Sequence, residues 1–359
     1  MSVFNLIFAP VSFTIETGVY IIVRLLPPRP RRQTGRGRCG LKEKIPVLVI
    51  AGPTASGKTA LAVALCHALR GEVVSADSMQ VYREMRIGTA RPTQAEMEGV
   101  PHHLVGFQPL DQPFSVSDYV ARASRIVGQI RARGHLPVLV GGTGLYIRSF
   151  LQGLSFQGDG AYPELRARLY AYARSEGNGA LHARLAAIDP AAAQAIHPNN
   201  VKRVVRAIEI YRTTGKPPTQ AARDARMEEP PYDPCFFCLG FQDRAALYRR
   251  IDRRVDQMIA GGLVEEARGV FAATSSETAR QAIGYKELLP YLRGECTLQQ
   301  AADAIKLATR HYAKRQMSWF RREQGAQWLF VDTFATGAAL QQEILRRVPI
   351  DWKGSRLCT

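Results

Sequence analysis

From residue 45 onward, short apolar runs alternate with longer stretches in which apolar residues recur every three or four positions. Residues 47–51 are wholly apolar and read as a strand. Residues 59–69 follow as an amphipathic helix, and 72–75 as a second short strand. A helix over 118–133, a strand over 136–140 and a glycine-rich loop at 141–144 repeat the theme. Strands alternating with helices of this length predict a parallel sheet covered by helices on both faces. Past Gly153 the pattern changes. Gly and Pro punctuate 153–163, a helical stretch runs to about Thr214, and a loop rich in Pro and charge spans 215–234. Residues 155–231 therefore read as an all-helical insertion. The strand 236–240 returns to the sheet, and helices over 244–260 and 297–322 dominate the rest. In the first of these, Leu247, Ile251, Val255 and Met258 share one face, which must be buried. Domain bounds of 45–154 plus 232–345 for the core, 155–231 for the insertion and 346–359 for a tail follow. There is no internal repeat.

Composition sharpens this outline. The chain has 359 residues, of which 46% are hydrophobic, ample for one large or two moderate cores. A formal charge of +17 favours a polyanionic partner, nucleic acid before a membrane surface. Residues 1–44 contribute six of those charges and the rest eleven, so the basic character does not depend on the extension. That extension is apolar over 1–28 apart from Glu16 and Arg24, then rich in arginine. Its longest uncharged run, 1–15, is too short to span a bilayer, and no cation precedes it as in a secretory signal. It is expected to be disordered or to precede a true start near Leu41, with an organelle or membrane address as the sharper alternative. Six scattered cysteines form no disulfide framework, which suits a reducing cytosol. Cys235 and Cys238 are the one close pair. They sit in an apolar run without further metal-ligand spacing, and a buried strand is expected there.

The strongest chemical signal is Gly52-Pro53-Thr54-Ala55-Ser56-Gly57-Lys58-Thr59, between a strand and a helix. Glycines allow a tight turn whose N–H groups converge on phosphate oxygens. Lys58 adds charge, Thr59 can ligate Mg²⁺, and the helix N-terminus adds its partial positive charge. Asp77, in Asp77-Ser78-Met79-Gln80, ends the next strand and so points into the phosphate crevice. It could ligate Mg²⁺, act as a general base, or merely cap a helix. Asp332 also ends an apolar strand but lies close to the C-terminus. Gly141-Gly142-Thr143-Gly144 should open on the same sheet edge, where Thr143 can donate a hydrogen bond. Two basic stretches remain. Arg310, Lys314 and Arg321 form a helical stripe with Arg315 and Arg322 beside it and Tyr312 and Trp319 interleaved. Lys202, Arg203 and Arg206 form a patch opposite Val201, Val204, Val205 and Ile208. Basic stripes with aromatic neighbours suit a phosphate backbone and exposed bases.

Taken in order, GPTASGKT (52–59), DSMQ (77–80), GTARP (88–92), PHHL (101–104), GGTGLY (141–146), HPNN (197–200), QAIGYK (281–286) and KRQMSWFR (314–321) resemble the tRNA dimethylallyltransferase (tRNA isopentenyltransferase) family over about residues 45–345. The resemblance implies a P-loop NTPase-like α/β fold, a parallel sheet flanked by helices with a helical insertion. It implies a prenyl transferase that moves the dimethylallyl group of dimethylallyl diphosphate to N6 of the adenosine 3′ of the anticodon, in tRNAs reading codons that begin with U. Gly52 to Thr59 would bind the diphosphate, with Mg²⁺ on Thr59; Asp77 would be the general base, and Thr143 would hydrogen-bond near the reacting centre. The tRNA anticodon stem-loop would meet Asp77, Ser78, Met79, Gln80, Thr143 and Arg166. It would also meet Lys202, Arg203, Val204, Val205 and Arg206, then Gln281, Ala282, Ile283, Gly284, Tyr285 and Lys286. Lys314, Arg315, Gln316, Met317, Ser318, Trp319, Phe320 and Arg321 would complete its footprint. Val201 stands where some members have Pro. No zinc-finger tail follows Leu345, which favours a bacterial, cytoplasmic, monomeric enzyme with no membrane partner. Two rivals stand: an adenylate isopentenyltransferase, which would not need the basic helices, and a P-loop kinase or ATPase, which would want a conventional Mg²⁺-binding Asp.

Overall fold

A computed structural model describes residues 44–154, 162–226, 229–273 and 277–352. The extension up to residue 43 and the expected head of the insertion, 155–161, lie outside the described residues. The first half is β1 (Ile45–Ala51), α1 (Lys58–Leu69), β2 (Gly71–Ser75), α2 (Gln94–Met97), β3 (His102–His103), α3 (Val116–Ala132), β4 (Leu136–Gly141) and α4 (Gly144–Leu151). The helical region holds α5 (Pro163–Glu176), α6 (Asn178–Ile188), α7 (Pro190–Ala195), α8 (Val201–Thr214) and α9 (Pro218–Asp224). Then come β5 (Tyr232–Gly240), α10 (Arg244–Ala260), α11 (Leu263–Ala273), α12 (Glu277–Arg280), α13 (Leu289–Leu292), α14 (Leu298–Phe320), β6 (Gln327–Phe330) and α15 (Gly337–Arg347).

The strands form one parallel sheet in the order β3-β2-β4-β1-β5-β6. Both faces are covered, which is why β1 and β4 read as unbroken apolar runs. Alternate residues serve opposite faces. Leu48, Ile50, Val138 and Phe237 pack with α1 and α15, while Val47, Val49, Leu139 and Phe236 pack with α3 and α4. Cys235 and Cys238 fall on these two opposite faces, buried, with burial pushing their thiols up to about 11 and about 12. They form a strand segment rather than a site. At the sheet's N-terminal edge the buried Glu72 carboxylate accepts from Arg133 (3.0 and 2.7 Å), His103 (2.7 Å) and His135 (2.7 Å). Burial would raise its pKa, but these hydrogen bonds outweigh it and hold Glu72 at about 2. It ties β2, β3 and the turn before β4 together, giving His103 of the PHHL motif a structural task.

The chain beyond residue 345 differs from the expected tail. α15 continues to Arg347, and Val348 and Trp352 are buried in the same core as α1. A stretch this short shows no period in the sequence, so its docking was invisible there. Residues 353–359 lie outside the described residues.

Helices α5 to α8 surround their own apolar core of Leu169, Leu181, Leu185, Val204 and Ile208. The HPNN motif builds the start of α8. The Asn200 side chain accepts from Arg203 N, and His197 Nδ1 accepts from Asn199 N at 3.1 Å. This satisfies N–H groups that a helix start leaves open.

Candidate active site

The P-loop leaves the end of β1 in the centre of the sheet, beside β4, where the chain has crossed to the far side to form β2. Ligands gather at such a switch point. Gly52 has φ +145°, and a Cβ there would stand 2.8 Å from Leu239 O. Ala55 (φ +62°) and Gly57 (φ +86°) also occupy the left-handed region. The turn is braced from outside. Thr54 N donates to Gln316 Oε1 (2.9 Å), Gln316 Nε2 donates to Gly142 O (3.0 Å), and Arg250 Nε donates to Ala55 O (2.8 Å). Lys58 Nζ donates to Pro53 O (2.5 Å) and Ser56 Oγ (3.4 Å). Burial and then the neighbouring Arg254 lower the Lys58 pKa to about 8, against the opposing pull of Asp77.

Asp77 follows β2 and shares a cleft of about 590 Å³ with Lys58 and Thr59. Its Oδ1 accepts from Met79 N (2.9 Å) and Gln80 N (3.2 Å), which folds the DSMQ segment into a turn. Ser78 N donates to Thr143 Oγ1 at 3.1 Å, so the loops after β2 and β4 are locked to each other. Tyr312 lies beside Thr143 and Gln316; burial and the nearby Asp77 raise its pKa. Helix α10 lines one wall of this cleft. Arg250 touches the P-loop, Arg254 and Met258 follow at one-turn intervals, and Gly262 lies near Ile87 at the far end. Gly88 to Ala90 and Gln281 to Lys286 also line the cleft.

The expected residues thus divide. Gly57, Lys58, Thr59, Asp77, Gln80, the 281–286 segment and Arg315 meet in one cleft. Other expectations need correction. Val204 and Val205 are buried in the insertion core, and Phe320 (0% exposed) is buried beneath the sheet, so none presents a side chain to RNA. Gln316 is 5% exposed because it clamps the P-loop to the Gly142 loop. Arg166 and Arg206 both bond the buried Glu209, at 2.7 and 3.0 Å and at 2.8 Å. Burial pushes Glu209 up, but the guanidiniums win and hold it below the usual range. Arg310 leaves the expected basic stripe to pair with Asp252. Ala282 and Tyr285 are buried as well, while Lys202, Arg203, Lys314, Arg315 and Arg321 remain exposed. Trp319 packs under the Arg148 guanidinium, 4.7 Å from its ring centroid. Asp332 accepts from Gln242 N and Asp243 N, joining β6 to the start of α10, which gives it a structural role.

Sequence reasoning missed Arg254. Its signal was present: an arginine inside the apolar stripe of Ile251, Val255 and Met258, a place a helix rarely gives to charge without a use. Burial first, and Arg250, lower its pKa, while Asp77 supports its charge.

A parallel sheet with G-x-x-x-x-G-K-T at its switch point, opening on a cleft lined by the half-buried cations Lys58 and Arg254 and by the Asp77 carboxylate, defines a P-loop α/β protein. The family model described as IPP transferase matches residues 80–323, and the chain belongs to this family. It is 47% identical over 310 residues to a tRNA dimethylallyltransferase of Symbiobacterium thermophilum, covering 86% of this chain and 97% of that one. It resembles the crystal structure of the tRNA isopentenylpyrophosphate transferase of Bacillus halodurans (42% identity, TM-score 0.61, 84% and 94% of the two chains). A eukaryotic dimethylallyltransferase acting on tRNA aligns at TM-score 0.71 and 28% identity over 87% and 82%. Among the described residues no helix is long and apolar enough to cross a membrane.

Proposed function

We infer that this protein is a tRNA dimethylallyltransferase. It moves the dimethylallyl group of dimethylallyl diphosphate to N6 of adenosine 37, 3′ of the anticodon, in tRNAs reading codons that begin with U, releasing diphosphate. The observation that carries the reading is one cleft holding Lys58 and Arg254 beside Asp77, flanked by exposed basic helices.

The chemistry follows from those groups. The bond between the allylic carbon and the diphosphate oxygen breaks, and the electron pair leaves with the diphosphate. P-loop N–H groups, Lys58 and Arg254 take up the developing negative charge. The allylic carbon gains cationic character, so the weakly nucleophilic N6 can attack it. The new C–N bond forms as Asp77 accepts the N6 proton. An anion bound beside Lys58 restores the proton affinity that burial removed. Thr143, which accepts from Ser78 N, keeps the Asp77 turn in place. The adenosine must leave the stacked anticodon loop to enter the cleft. Lys202, Arg203, Lys314, Arg315 and Arg321 would hold the phosphate backbone while it does.

The donor set also fits Mg²⁺. Among the described residues no cluster of three His, Cys, Asp or Glu could cage a metal alone. Mg²⁺ normally takes only one or two protein oxygens and completes its shell with phosphate and water, which suits the Thr59 hydroxyl. When bound there it would neutralise diphosphate charge. A cytoplasmic, monomeric enzyme is part of the same reading.

Radiolabelled dimethylallyl diphosphate with Mg²⁺ and either an anticodon stem-loop or AMP tests it. Label in the stem-loop alone is expected, falling about 10²–10⁴-fold in Asp77→Ala. Label in AMP would make it an adenylate prenyltransferase, a reading the basic helices disfavour; ATP turnover without label would make the cleft a nucleotide site.

A further inference from the structure

Glu266 on α11 belongs to none of the motifs, yet its carboxylate accepts five hydrogen bonds, four of them from the backbone of 86–88. Oε1 accepts from Ile87 N and Gly88 N at 2.9 Å each and from Tyr285 Oη at 2.7 Å. Oε2 accepts from Arg86 N and Ile87 N, also at 2.9 Å. Three successive backbone N–H groups converge on one anion, which makes the start of the GTARP segment a nest filled by the protein's own carboxylate.

The segment so fixed leads to the reacting centre. Thr89 O and Ala90 O accept from Gln80 Nε2 at 3.1 and 3.3 Å. Gln80 N in turn donates to Asp77 Oδ1. Gly88 also rests against Tyr285, since a Cβ at Gly88 would stand 2.5 Å from that ring. Gly88, Thr89, Ala90, Gln80 and Tyr285 all line the cleft. The P-loop end has separate supports, Gln316 and Arg250.

We propose that Glu266 is a positioning residue that fixes the acceptor-side wall of the cleft and so sets how the target adenosine is presented to Asp77, without acting at the diphosphate end. This rests on the tRNA prenylation reading. It predicts a kinetic split that general loosening of the fold would not give. In Glu266→Gln an amide N–H replaces one acceptor and faces backbone N–H donors, leaving them unpaired.

Steady-state kinetics on the full chain, with each substrate varied, test the split. Glu266→Gln is expected to raise KM for the anticodon stem-loop about tenfold, with KM for dimethylallyl diphosphate within about twofold of wild type. Glu266→Asp, which keeps the charge, should recover part of the loss, and it carries the same test if Glu266→Gln fails to fold. Amide exchange at 86–88 should quicken in step with KM. A fall in kcat with both KM values unchanged, an equal rise in both, or unaltered exchange at 86–88 would each overturn the proposal while wild type remains active. A wild type that transfers no label to the stem-loop would overturn the prenylation reading, and this inference with it.

Discussion

Helices α8 and α14 carry much the same signature, basic residues with apolar or aromatic neighbours, yet the fold uses them differently. In α14 the polar groups of one face turn inward: Gln316 clamps the P-loop, Tyr312 meets Thr143, and Arg310 pairs with Asp252. The helix ends with Phe320 buried under the sheet, so it is part of the catalytic frame. In α8 the inward face is Val204, Val205 and Ile208, and Arg206 joins Arg166 on Glu209. Lys202, Arg203 and Arg212 are left outward, on a unit with its own core. Similar charge patterns therefore serve one helix as frame and the other as handle. What a helix packs against decides which.

The largest effect that would sharpen this contrast is expected in the frame. Gln316→Ala removes two hydrogen bonds and frees both catalytic loops, and kcat should fall about 10²-fold, since each lost buried partner costs about 1–3 kcal/mol. A variant with normal kcat would place Gln316 in packing alone. Next comes Glu209→Ala, which leaves Arg166 and Arg206 facing each other. Because both guanidiniums are partly exposed, the loss is expected near 2 kcal/mol rather than the full cost of a broken buried pair. It should appear as faster amide exchange in α5 and α8 with kcat for bound tRNA unchanged; a fall in kcat would break the distinction between handle and frame.

Lys58 supplies a pH test. Burial and Arg254 depress its pKa to about 8, so the free enzyme loses this charge as pH rises through 8. kcat/KM for the prenyl donor should therefore fall about tenfold per pH unit above that value, and Lys58→Arg should remove this limb. The smallest effect belongs to the handle. Lys202→Ala with Arg203→Ala should weaken stem-loop binding several-fold and reduce the slope of log affinity against log salt by about two. An unchanged slope would move the RNA away from α8.

Much of the site was legible because its geometry is local. The P-loop, Asp77 and Thr143 each follow an apolar strand, and in a parallel sheet all such ends open on one edge. The partners of those residues were not legible. Gln316 and Arg254 are far along the chain from the loops they serve, and Glu266 meets residues 86–88 from another helix. Nothing in a basic run tells Arg310 from Lys314 until Asp252 arrives opposite one of them. Val348 and Trp352 likewise look like tail until α1 offers them a surface.

The sequence by itself determined the parallel α/β sheet, the helical region within it and the phosphate-binding turn, because strand and helix periods and glycine's freedom at positive φ act over a few residues. Only the tertiary structure decided which charges stay in water and which are buried against a partner. That choice depends on contacts between residues tens to nearly two hundred positions apart, and on the free energy of removing each charge from solvent, which no local pattern contains.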